Sequence, residues 1–433
     1  MFKPMELRRL LIASIKFHRN AHKPLLGPLA SQCSLRYMSC LQYTHTPSGS
    51  TSAKLDNHGK SLIVQANGED SSYHSTWLRH NCQCPSCLAP SGQKTIDLSE
   101  ITPSITLKSV ALIDGRLNLF WSSGHHGYIQ IDYLQTRRNL QQNADLSTPK
   151  TAIDLPVMSA TGLTNDREKL WRWLYLLNEY GVCLLTNMGE VQEECKKLAE
   201  TMYNVQDTVY GETFHVEAQE DFVNIAYSNQ TLTFHMDLIY YESPPGLQIL
   251  HCLRFDDCVE GGESVMLDMF PVVEELREKW PKHFKTLSRV PATFQKIHYE
   301  REKPVEMVSY CPHIQLDRYG KVVRMSWSPP FEGPLDVPKE DVIPYYEAYH
   351  CLAQMLDKSK LKLSHRLKPG EAMTFNNRRI LHSRKHFTLN GGQRHLQGAY
   401  VNIDHFKSTY EVLCKQLGKT EVPIRRVFNV NSS

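Results

Sequence analysis

The sequence predicts a mainly β protein with covering helices (α+β), in which a double-stranded β-helix, or jelly roll, forms the main core beside a small N-terminal zinc-binding β domain. Three observations predict it. Short strand-like runs outnumber helical stretches along most of the 433 residues, and many strands with few helices over them close best as packed sheets. Cys82, Cys84 and Cys87 crowd three soft ligands into six residues. No repeats and no Rossmann or P-loop glycine pattern interrupt this grammar.

The elements follow in order. Residues 1–45 read as a leader, carrying Lys3, Arg8, Arg9, Lys16, Arg19, Lys23 and Arg36 against a single acid, Glu6. On a helical wheel Arg8, Arg9, Lys16 and Arg19 share an arc, with Leu7, Leu10, Leu11, Ile15 and Phe17 mostly opposite. A basic, acid-poor, amphipathic start reads as a mitochondrial transit peptide; a cytoplasmic chain with a plain basic leader is the alternative. Residues 41–60 are Ser/Thr/Gly-rich and read as flexible.

Residues 46–150 are expected to form the small zinc-binding domain, with strands at Ser61–Gln65, Ile105–Leu112, Leu117–Trp121 and Tyr128–Asp132 and a turn at Gly115. Residues 151–433 are expected to form a second, larger domain. Leu170, Trp173, Leu174 and Leu177 line one face of a helix over Asp166–Tyr180, Gly181 ends it, and Val182–Thr186 is a buried strand. Strands near 247–253 and 264–270, a helix over 271–288, a hairpin over 313–327 and a helix over 342–357 come next. Two strands, 372–381 and 395–403, close the pattern.

Bulk composition excludes several classes. Hydrophobic content is 41% and charged content 22%, ordinary for a soluble globular chain. No run reaches the ~18–20 apolar residues of a membrane span. The net charge is only +3 and its positive excess sits in the leader, so no broad nucleic-acid-binding field is expected. Of 12 cysteines, nine are scattered, which suits a reducing compartment and not a disulfide framework. Asn229-Gln230-Thr231 is a chance sequon, there being no secretory signal.

His235-Met236-Asp237 lies in the β-rich run TLTFHMDLIYY. On a strand, residues i and i+2 project from one face, so both can grip one ion. One His-x-Asp says little by itself. The signal sharpens because His382 stands at the end of a later strand and Arg394 opens the one after. Two imidazoles and one carboxylate on one side of Fe(II) leave three positions open, which 2-oxoglutarate and O2 require. The far carboxylate of 2-oxoglutarate needs a guanidinium fork, and Arg394 supplies one, with Ser264 in GGESVMLD as a supporting donor.

Zinc usually takes four ligands, often three cysteines and a histidine. Pro85 and Ser86 suit a knuckle turn between Cys84 and Cys87. His125 and His126, in WSSGHHGY, are the candidates for the fourth position.

Taken together, LRHNCQCPSC, YGETF, NIAYSN, FHMD, SPPGLQILHC, GGESVMLD, FNNRRILHSR and RHLQGAY resemble the γ-butyrobetaine/trimethyllysine dioxygenase family of carnitine biosynthesis, over residues 60–410. The resemblance implies a jelly-roll core, an N-terminal zinc domain, and use of Fe(II), 2-oxoglutarate and ascorbate, in a homodimer. It implies iron ligands His235, Asp237 and His382, a 2-oxoglutarate anchor at Arg394, and His125 as the fourth zinc ligand. The implied reaction decarboxylates 2-oxoglutarate to succinate and CO2 while hydroxylating an unactivated C–H bond.

The family's cage for a trimethylammonium group maps onto Tyr210, Phe214, Tyr227 and Tyr400; aromatic faces bind such a group by cation–π attraction. The second position is Trp in the γ-butyrobetaine branch, so Phe214 departs from it. Asn224 matches the residue that contacts the substrate carboxylate, whereas trimethyllysine enzymes carry Asp there. That favours γ-butyrobetaine, while the leader leans towards the mitochondrial trimethyllysine enzymes. A paralogue acting on another quaternary amine, and a catalytically dead zinc-binding module, complete the set of readings; the intact triad speaks against the last.

Overall fold

The computed structural model describes residues 51–66, 68–134, 149–217, 228–419 and 424–425. The leader, Asn224 and Tyr227 lie outside these residues. Two compact units divide the chain, residues 1–138 and 139–433.

The first unit holds two three-stranded antiparallel sheets, one of Ser52–Leu55, Ser61–Ala66 and Glu69–His74, the other of Leu107–Ile113, Arg116–Trp121 and His126–Gln130. Ser52–Leu55 corrects the flexible reading of 41–60: its residues pair with 62–65 and alternate between exposed and half-buried. Asp114 and Gly115 both adopt positive φ, which turns the 107–121 hairpin tightly. Leu62, Leu78, Leu117, Leu119, Trp121 and Ile129 form the core, and the three cysteines pack into it.

In the second unit a six-stranded and a four-stranded sheet carry the site. Leu247–Phe255 lies in the larger sheet, Ser264–Asp268 in the smaller, Ala372–Asn376 in the larger, Ile380–Arg384 in the smaller and Arg394–Val401 in the larger. This alternation is the winding a double-stranded β-helix requires. Helices cover the outside: Arg167–Tyr180 and Ile403–Gln416 on the larger sheet's core, Met269–Lys279 and Lys339–Lys358 in the other core cluster. Asp166 caps the first of these by accepting from the amides of Glu168 and Lys169, and Gly181, at φ 74°, ends it. No helix among the described residues is long and apolar enough to cross a membrane.

Two sequence expectations change. The helix over 271–288 is two helices, Met269–Lys279 and Pro281–Arg289, because Pro281 lacks the amide hydrogen needed to continue. Trp280 sits at that break and is 40% exposed. The strand over 372–381 also splits. Asn377, Arg378 and Arg379 turn the corner while buried, and the turn holds because each polar group has a partner: Arg379 pairs with Asp268 at 2.5 Å, and Arg378 donates to the Pro244 carbonyl at 2.6 Å. His382 therefore belongs to the following strand, Ile380–Arg384, in the other sheet.

Candidate active site

The strand Leu232–His235 ends at its histidine, so Asp237 lies on the turn beyond it and not on the same pleat. Asn377 holds it there. The Asp237 amide donates to Asn377 Oδ1 at 2.9 Å, and Asn377 Nδ2 donates to the Asp237 carbonyl at 2.9 Å. His235 pairs across the strands with His382, their ring centroids 4.0 Å apart. Ligand atoms of His235, Asp237 and His382 all lie within 4.8 Å of one another.

Hydrogen bonds aim these atoms. His235 Nδ1 donates to the Thr233 carbonyl at 2.8 Å, which leaves Nε2 as the free lone pair, 3.4 Å from Asp237 Oδ1. His382 Nε2 stands 3.8 Å from the same oxygen. Asp237 Oδ2 is taken by the Tyr400 hydroxyl, which donates at 2.7 Å. Burial, with His235 adding, brings the His382 imidazole down to about 3 and keeps it neutral. Burial alone would raise the Asp237 carboxyl, but His382, His235 and Tyr400 hold it well below the usual carboxylate range. Neutral imidazole beside ionised carboxylate is the ligand state a divalent cation needs.

Beside the triad is a cavity of about 70 Å³, lined by Phe214, Gln248, Ser264, Arg384, Arg394 and the three triad residues among others. Arg394 is 5% exposed, its Nε is buried without a hydrogen-bond partner, and it lies between the rings of Phe255 and Phe387 at 5.3 and 5.4 Å. Burial, helped by nearby Arg384, lowers its guanidinium to about 9. A buried cation with an unused donor fits the far carboxylate of 2-oxoglutarate, and the triad fits a 2-oxoglutarate-dependent iron. Ser264, buried and opposite Arg384 in the strand register, lines the same cavity.

Phe214 and Tyr400 stack at 4.9 Å with 21° between planes. Gly398 makes this possible, since a Cβ there would meet the Phe214 ring at 2.1 Å. Tyr210 joins the group through the Tyr240 hydroxyl, which donates to its own at 3.4 Å. Two cavity residues escaped the sequence reading. Arg384 sits at i+2 from His382 and so shares its face. Gln248 is a polar residue in the mostly apolar run LQILHC, 1% exposed, with Oε1 lacking a partner.

The first unit carries its own ligand cluster. His125 Nε2 lies 3.4, 3.7 and 3.5 Å from the sulfurs of Cys82, Cys84 and Cys87. Zinc–sulfur bonds of about 2.3 Å and zinc–nitrogen bonds of about 2.05 Å at tetrahedral angles require edges of roughly 3.5 Å, so the donor set fits zinc. His126 points its ring edge-on to Phe120 instead. A Cβ at Gly127 would lie 2.3 Å from Cys82 Sγ. We expect zinc to co-purify at about one ion per chain, and Cys84→Ser and Gly127→Ala each to release it and to lower the first unit's melting temperature, since metal binding of this type contributes on the order of 10 kcal/mol to folding. Metal analysis and calorimetry check this; zinc-free protein of unchanged stability would refute it.

Two family matches together cover most of the chain. The taurine catabolism dioxygenase TauD, TfdA family matches residues 147–400, and the gamma-butyrobetaine hydroxylase-like N-terminal family matches residues 53–135. A gamma-butyrobetaine dioxygenase of Pongo abelii is 30% identical, covering 83% of this chain and 95% of its own. One from Pseudomonas sp. (strain AK-1) is 28% identical over 81% and 93%. A mitochondrial trimethyllysine dioxygenase of Rattus norvegicus is 25% identical over 86% and 90%.

Proposed function

The chain belongs to the TauD, TfdA dioxygenase family, and from that premise we propose that it hydroxylates γ-butyrobetaine at C3, giving carnitine. It is an iron- and 2-oxoglutarate-dependent dioxygenase. In our reading His235, Asp237 and His382 hold the iron, and Arg394 with Ser264 anchors 2-oxoglutarate. When bound, the iron would use O2 to couple oxidation of 2-oxoglutarate to succinate and CO2 with conversion of a substrate C–H to C–OH, one oxygen atom going to each product, and ascorbate would keep it reduced.

The residues of the chain place and shield. Tyr400 fixes one carboxylate oxygen of Asp237 and leaves the other for the metal. The Phe214–Tyr400 stack beside it is the observation that carries the substrate reading. It sets aromatic faces one hydroxyl away from a metal-ligand carboxylate, and a quaternary ammonium, which cannot hydrogen-bond, is bound well by such faces, at ~0.5–2 kcal/mol per ring. In the same reading, carried by the family resemblance, Tyr210 and Tyr227 would complete the cage and Asn224 would donate to the substrate carboxylate.

The test is kcat/KM for γ-butyrobetaine against trimethyllysine, following succinate under Fe(II), ascorbate and O2. Asn224 is neutral and cannot pair with the α-ammonium that trimethyllysine adds. Burying that charge unpaired costs several kcal/mol, so we expect at least about a hundredfold preference for γ-butyrobetaine. A preference for trimethyllysine would overturn the reading. Phe214, where γ-butyrobetaine enzymes carry the stronger ring of Trp, favours a second reading, hydroxylation of another quaternary amine. Uncoupled 2-oxoglutarate turnover with neither compound accepted would select it.

The composition of residues 1–45 supports a mitochondrial destination. Fused to a reporter, that segment should enter mitochondria; a diffuse cytosolic signal would refute this.

A further inference from the structure

The larger sheet carries a second cluster of ligating side chains on the face away from the cavity. Thr213–Glu217 runs antiparallel to Arg394–Val401, with Glu217 opposite His395 and His215 opposite Gln397. Side chains alternate along both strands. Phe214, Val216, Arg394 and Leu396 line the cavity, so His215, Glu217 and His395 project from the reverse.

There the three converge. His215 Nδ1 and His395 Nε2 are 2.7 Å apart, and the same His395 nitrogen is 2.9 Å from Glu217 Oε1. Their ligand atoms all lie within 4.8 Å of one another. A single N–H on His395 Nε2 serves both neighbours only as a shared, weakened bond, whereas a cation in their midst would be served by all three. All three groups retain solvent exposure, so water can fill the remaining coordination positions.

We propose that His215, Glu217 and His395 form a third metal site, separate from the iron triad and the cysteine cluster, that takes a divalent transition metal of borderline softness such as zinc. Two imidazoles and a carboxylate suit that class of ion better than magnesium or calcium, which prefer oxygen. A bound ion ties the strand bearing Phe214 to the strand bearing Arg394 and Tyr400, directly behind the cavity wall.

The experiment uses the full chain with its cysteine cluster loaded, dialysed against Zn2+ alone. Wild type, His215→Ala and His395→Ala are compared by metal analysis and by melting with and without added zinc. Any zinc taken by the iron triad is common to all three proteins and cancels. We expect wild type to hold one more zinc per chain than either variant, and its melting temperature to rise with zinc by more than theirs. His215 is exposed and His395 about one-fifth exposed, and their mutual contacts are solvent-accessible, so without added zinc the three should melt within a few degrees of one another. Equal zinc content, or equal shifts on adding zinc, would overturn the proposal.

Discussion

Asp237→Ala is expected to reduce 2-oxoglutarate turnover at least about a thousandfold while leaving the fold intact, because residues that merely orient a metal ligand already cost 10–100-fold when removed. The expectation separates activity from folding for a structural reason. The backbone at Asp237 is held by the reciprocal pair with Asn377, through the Asp237 amide and carbonyl, and neither bond uses the carboxylate. What the substitution removes is the one carboxylate between two imidazoles, together with the acceptor of the Tyr400 hydroxyl. His235→Ala and His382→Ala should lose activity similarly, since two remaining ligands retain Fe(II) poorly. Succinate formation and circular dichroism together decide it. An Asp237→Ala protein that folds and turns over 2-oxoglutarate at the wild-type rate would show that the iron is held elsewhere.

The sequence made the chemistry more legible than the geometry that holds it. His235, Asp237, His382 and Arg394 stand out because their residue types, order and spacing match one demand, three ligands and an anion anchor. The i, i+2 argument for His235 and Asp237 reached a pair that does meet, but by another route. The strand stops at His235, and Asn377, 140 residues away, fixes the aspartate. Nothing local to TLTFHMDLIYY could reveal that partner. The same blindness hid the corner at Asn377–Arg379. Two arginines and an asparagine buried to about 1% exposure are stable only because Asp268, Pro244 and Asp237 answer them from distant segments. The helix break at Pro281 was legible from the proline itself, and the apolar periodicity on both sides masked it. Arg384 and Gln248 required the sheets to be assembled before their shared cavity could be seen.

Arg394 yields the second large effect, and a contrast between two substitutions that fold stability alone would not produce. Arg394→Lys should raise the KM for 2-oxoglutarate by about a hundredfold or more with a smaller change in kcat. An ammonium is a point charge that cannot fork onto a carboxylate, and it weakens the cation–π contacts with Phe255 and Phe387. Arg394→Met should abolish detectable 2-oxoglutarate binding and yet not destabilise the protein in its absence. In the free protein the guanidinium is buried, beside the Arg384 cation, with Nε unsatisfied and no carboxylate in ion-pair contact among the described residues. Holding such a charge out of water costs several kcal/mol, and an unbranched thioether of similar reach removes that cost while keeping contact with both rings. Melting temperatures without 2-oxoglutarate should therefore place Arg394→Met at or above wild type. With saturating 2-oxoglutarate and a non-oxidising divalent ion, the order should reverse, because only wild type gains the binding contribution. An unchanged 2-oxoglutarate KM in Arg394→Lys would move the anchor to Arg384. A large loss of stability in Arg394→Met would mean that the arginine is held for packing and not for its ligand.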